Sequence, residues 1–91
     1  MANSPDLPHR FGRALRLLRT ARGVSQEDLA HTAGLSRTYL GEVERGAKCP
    51  SICALEDVAT ALELRPWELL KAADDVDAWL PGTPLSTDIR R

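Results

Sequence analysis

The chain has 91 residues, 43% hydrophobic and 27% charged, with a net charge of −1, which leaves room for one domain and one modest core. No apolar run reaches the roughly 18 residues that would span a bilayer, and the opening Met1-Ala2-Asn3-Ser4-Pro5-Asp6 lacks the basic and apolar blocks of a secretory signal, so a cytoplasmic location is expected. Cys49 and Cys53 form a lone C-x3-C to which neither His9 nor His31 adds a ligand at zinc-site spacing; they are expected to be small packing residues with free thiols.

Five helices are predicted and no strand. Residues 1–6 read as a flexible N-terminus. Helix one runs from Leu7 to Arg22, capped by Asp6 and stopped by Gly23, with Phe11, Ala14, Leu15 and Leu18 as its buried stripe. Arg13 and Arg16 fall nearly opposite that stripe, as a solvated face, and Arg19 at its edge. Helix two starts at Ser25, where Ser25-Gln26-Glu27-Asp28 has the form of a capping box, and ends at Gly34. Helix three begins at Ser36 and ends at Gly46. Helix four follows Pro50 with Ser51 as cap, and Ile52, Leu55, Ala59 and Leu62 mark its inner face. Helix five opens with Pro66 at its first position and carries Trp67, Leu69 and Leu70. A folded unit over 7–73 is expected, followed by an acidic tail over 74–91 in which Asp74, Asp75 and Asp77 come close together.

The charge is unevenly spread. Residues 1–48 hold eight basic residues against five acidic, net +3, and residues 49–91 hold four against eight, net −4. A chain polarised in this way can turn a basic face to nucleic acid and an acidic back to solvent.

Two short helices joined by two or three residues must cross steeply, so the corner between them tolerates only small side chains. Ala30 sits at the predicted contact of helices two and three, and Gly34 at the turn. Leu29, Ala33, Leu35, Leu40 and Val43 supply an apolar underside. With this spacing, residues 11–70 resemble the lambda-repressor/Cro family of helix-turn-helix domains. The matching text is Ser25-Gln26-Glu27-Asp28-Leu29-Ala30, Gly34-Leu35-Ser36-Arg37-Thr38-Tyr39-Leu40, Glu44-Arg45-Gly46, Pro50-Ser51 and Leu55. Several such features in register make the match specific.

The resemblance implies an all-α, compact five-helix fold and double-stranded DNA as partner, with helix three entering the major groove. On that reading Arg37 would grip guanine O6 and N7, Thr38 would meet a thymine methyl, and Glu42 would accept from cytosine N4. Tyr39 would touch backbone or base. Gln26 at the start of helix two matches a phosphate-binding position, and Ser36, Arg45 and Lys48 are further phosphate candidates. Arg19 and Glu44 occupy the places of an ion pair that tethers helix three to the body. Gly41 departs from a strong helix, lowers its stability by about 1 kcal/mol relative to alanine, and leaves a gap in the reading face.

The resemblance also implies a regulator of transcription acting as a homodimer on a two-fold operator, repressing by blocking RNA polymerase or activating by touching it. An apolar surplus of Trp67, Leu69, Leu70, Val76 and Trp79, beyond what the core needs, suggests the dimer contact. Trp67, Leu70 and Trp79 are the candidates for it, although residues such as the first two are more often core than interface. The length resembles stand-alone regulators such as restriction–modification controller proteins and small phage repressors. No sensor domain, cofactor or small-molecule ligand is expected, and no arrangement of residues suggests an enzyme. The alternative reading is an antitoxin-like protein-interaction module that binds DNA secondarily.

Overall fold

The computed structural model describes residues 6–76. They fold into α1 (Leu7–Ala21), α2 (Gln26–Ala33), α3 (Arg37–Glu44), α4 (Ile52–Ala61) and α5 (Pro66–Asp75), with no strand among the described residues. This is the all-α, five-helix architecture expected from the sequence.

Local chemistry explains where each helix begins. Asp6 accepts from the His9 amide at 3.2 Å, and the hydroxyls of Ser25, Ser36 and Ser51 accept from the amides of Asp28, Tyr39 and Ala54, each at 3.0 Å. Each bond satisfies a first-turn N–H that has no partner inside the helix. Asp6 is thus the cap of α1, as the sequence suggested. At α5 the cap residue is Arg65, which cannot accept. Glu68 instead reaches back, its carboxylate accepting from the Arg65 amide at 2.7 Å.

The first four helices end alike. A left-handed residue follows the last turn (Gly23, Gly34, Glu63 and Gly46, with φ of 70°, 74°, 61° and 78°). The next amide then bonds a carbonyl five residues back: Val24 to Arg19, Leu35 to Ala30, Ala47 to Glu42 and Leu64 to Ala59, at 2.8–3.2 Å. Three of these sites use glycine, which adopts that backbone without strain; Glu63 does not have that freedom.

The core is one cluster. Phe11, Ala14 and Leu15 of α1 meet Leu29, Ala30, Leu40, Val43, Leu55, Val58, Ala59, Leu62, Leu69, Ala73 and Val76. α1 packs on α5 and α3, α2 on α3 and α4, and α4 on α5. At Gly12, buried in α1, an added Cβ would overlap the carbonyl oxygens of Val43 and Glu44, so the two backbones touch directly. Arg10 Nη1 bonds Asp74 Oδ1 at 3.1 Å and links α1 to α5 at the surface.

Several expectations need correction. Ile52 is 79% exposed, and the inner face of α4 is formed by Ala54, Leu55, Val58, Ala59 and Leu62. As the first helical residue, Ile52 projects back beyond the end of the core. Leu69 and Val76 are fully buried rather than surplus, whereas Trp67 and Leu70 are 59% and 41% exposed and do not pack in the core. The helix continues through Asp74 and Asp75 to the buried Val76. Cys49 and Cys53 are free thiols but exposed, because one lies in the loop before α4 and the other on its outer face; neither is a packing residue.

Candidate nucleic-acid interface

α2 and α3 are joined by Gly34-Leu35-Ser36. Ala30 lies against the core at 2% exposure, where a larger residue would separate the helices. Leu40 and Val43 anchor the inner face of α3. Its first turn turns outward and exposes Arg37 and Thr38, with Arg45 exposed at the far end.

A buried polar network holds this helix in place. Arg19 Nε and Nη2 donate to the two carboxylate oxygens of Glu44 at 2.7 and 3.1 Å. Arg19 Nη1 also donates to the Val24 carbonyl at 2.8 Å, and Gln26 Nε2 donates to Glu44 Oε1 at 2.9 Å. The ion-paired side chains are only 10% and 2% exposed. Glu44 thus ties the end of α3 to α1 and to the first residue of α2 with two-point geometry. One of the two Gln26 Nε2 protons is committed there, a link that spacing along the chain did not suggest, and the other is left for a further acceptor.

Tyr39 is half-buried against the core, and its hydroxyl accepts from the Ser51 amide at 3.3 Å. Tyr39 thus joins α3 to the start of α4, and its hydroxyl keeps a proton to donate. Glu42 is half-buried with Lys48 Nζ 3.9 Å from its carboxylate, so these two candidates neighbour each other. Ser36 caps α3 with its oxygen. At 100° per residue Gly41 falls between Arg37 and Thr38, on the same face of α3, and the side-chain ends nearest to it are those of Arg45 and Gln26.

An open concavity between α1, the start of α2 and α3 is lined by Arg16, Arg19, Ser25, Gln26, Glu27, Arg37 and Arg45. Three exposed arginines (Arg16, Arg37 and Arg45) surround it against one exposed acid, Glu27. Arg16 was read as part of a solvated face. Its spacing one turn before Arg19 was the signal that could have placed it here. The first-turn amides of α2 open beside the same surface. His31 is exposed elsewhere on α2. Trp79 lies outside the described residues. Among the described residues no group of three or more His, Cys, Asp or Glu could hold a metal, and no helix is long and apolar enough to cross a membrane.

A family model described as a helix-turn-helix domain matches residues 10–73. The uncharacterized HTH-type transcriptional regulator YazB of Bacillus subtilis (strain 168) is 39% identical over 59 residues, covering 65% of this chain and 86% of YazB. The control protein C.BamHI of Bacillus amyloliquefaciens is 38% identical over 61 residues, covering 66% of this chain and 75% of its own. Among solved structures, the restriction-modification controller protein C.AhdI from Aeromonas hydrophila superposes with a TM-score of 0.67 at 50% identity. That match covers 68% of this chain and 94% of C.AhdI.

Proposed function

The chain belongs to the helix-turn-helix family of DNA-binding transcriptional regulators, and from that premise we propose that it binds a two-fold operator as a homodimer and reads bases with Arg37 and Thr38. It is a regulator that binds double-stranded DNA, not an enzyme.

The exposure of Arg37 and Thr38 on the first turn of an otherwise anchored α3 carries this reading. Arg37 has the reach and the paired donors to take guanine O6 and N7, and the Thr38 methyl suits thymine. Glu42, beside Lys48, is the weaker candidate for cytosine N4. Tyr39, whose hydroxyl accepts from the Ser51 amide, keeps its own proton for the DNA backbone or a base edge. Gln26, Ser36, Arg45 and Lys48 take the DNA backbone. The Ser36 hydroxyl keeps its proton for a phosphate oxygen while its oxygen caps the helix.

Dimerisation is argued from α5. Trp67 and Leu70 are one turn apart and exposed on the same side of the helix. Leu70 also borders an apolar groove lined by Leu7 and Ile52, among others. Burying such a surface against a second copy would set two recognition helices about 34 Å apart, one turn of DNA. Bound near a promoter, the dimer would act by excluding RNA polymerase or by touching it.

The test is a fluorescence-anisotropy titration of the chain's own upstream DNA and of a random duplex, at several salt concentrations. Arg37→Ala should weaken binding to the upstream site by about 1–3 kcal/mol and to the random duplex by less. Equal losses on both would reduce Arg37 to a backbone contact. Light scattering at tens of micromolar should give twice the chain mass of 10.0 kDa; a monomer mass would remove the dimer.

A further inference from the structure

We propose that Gly41 is a positioning residue for DNA-backbone binding: the bare backbone there is the floor on which the Arg45 guanidinium and the Gln26 carboxamide converge to hold one phosphate. The proposal rests on the reading that α3 faces DNA.

A Cβ built on Gly41 would have as its three nearest neighbours Arg45 Nη1 at 3.3 Å and the Gln26 Oε1 and Nε2 atoms at 3.8 and 3.9 Å. All three are side-chain termini, and they come from opposite ends of the motif: Gln26 opens α2, and Arg45 caps α3 at its C-terminus. Both line the concavity that Arg16 and Arg37 also border. Gln26 cannot retreat freely, because its nitrogen is bonded to Glu44 Oε1 at 2.9 Å. Arg45 is exposed and can move.

The contrast with Gly12 supports a role in binding. A methyl at Gly12 would strike backbone carbonyls, so glycine is a packing necessity there. At Gly41 the nearest obstacles are two flexible side chains, so the fold itself has room for alanine. Glycine nonetheless stands in the interior of an eight-residue helix, where it weakens the helix relative to alanine. The requirement it meets lies in where Arg45 and Gln26 sit. A methyl would lift the guanidinium by a few tenths of an ångström, enough to spoil a charge-assisted bond to a phosphate oxygen that is otherwise aligned by the α2 amides.

The experiment compares wild type, Gly41→Ala, Arg45→Ala and the double variant for binding to a random-sequence duplex across a salt series, with thermal unfolding of each. Gly41→Ala is expected to hold or raise the midpoint of unfolding. It should weaken binding about three- to eightfold near 0.1 M salt, as expected for losing up to one phosphate contact per recognition helix, with a shallower salt slope. In the Arg45→Ala background Gly41→Ala should change nothing. Unchanged affinity in Gly41→Ala would overturn the proposal, as would a loss that persists without Arg45. So would a lowered midpoint, because the methyl would then be excluded by the core. Wild type that binds no duplex at all would instead undo the proposed function.

Discussion

Removing Glu44 should be the most damaging single change available at the interface. Its carboxylate accepts from Arg19 Nε at 2.7 Å, Arg19 Nη2 at 3.1 Å and Gln26 Nε2 at 2.9 Å. The Arg19 and Glu44 side chains are 10% and 2% exposed, too little for water to replace a lost partner. In Glu44→Ala the guanidinium stays buried with its bond to the Val24 carbonyl. Breaking a buried pair from one side costs about 3–5 kcal/mol, whereas a domain of some 70 residues has only about 4–10 kcal/mol in total. The midpoint of unfolding, followed by circular dichroism, should therefore fall by about 12 °C or more. Removing both charges with Arg19→Met and Glu44→Leu should recover most of the loss, since no unpaired charge then remains. The reasoning fails if each single change costs under about 1 kcal/mol, or if the two costs simply add in the double variant.

Three further outcomes are expected. Gly12→Ala should lower stability by about 1–2 kcal/mol in urea denaturation: overpacking against the Val43 and Glu44 carbonyls outweighs the gain in helix propensity. A neutral result would mean that α1 and α3 slide apart easily. Glu63→Gly should raise stability by about 0.5–1 kcal/mol, the relief of a left-handed backbone less the larger entropy glycine loses on folding; a loss would show that the Glu63 side chain makes a contact that outweighs the strain. The His9 ring and the His9 amide both bond Asp6 and hold its carboxyl below the ordinary aspartate value. The cap on α1 should then be fully present above that value and be lost as pH falls through the depressed pKa. NMR titration of Asp6 in wild type and His9→Ala checks this, and an ordinary Asp6 titration in wild type would refute it.

The sequence showed well whatever depends on neighbours along the chain. Asp6, Ser25, Ser36 and Ser51 cap helices, and Gly23, Gly34 and Gly46 end them, because each works through bonds within one turn. Glu63 was missed because a left-handed backbone at a glutamate leaves no mark in residue type. Ile52, Leu69 and Val76 were misplaced because periodicity counts apolar residues without showing where the core stops. Arg37 and Thr38 stand exposed at the start of α3. Tyr39 and Gln26 hold partners 12 and 18 residues away, which only the packed helices bring within reach. Gly41 was read as a weak point in the helix and a gap in the reading face, and its neighbours from α2 and the helix end give it another meaning.

The brevity of α3 has a thermodynamic consequence. Eight residues form no lasting helix alone in water, so its order is borrowed from the core and from Glu44. The helix then has no melting transition of its own: its internally bonded amides, from Leu40 onward, should exchange with solvent when the domain opens, whereas those of Arg37 and Thr38, with no partner inside the helix, exchange freely. Meeting DNA orders nothing further within it. The heat-capacity change of association should accordingly reflect the surfaces brought together, without the large excess that accompanies folding on a template.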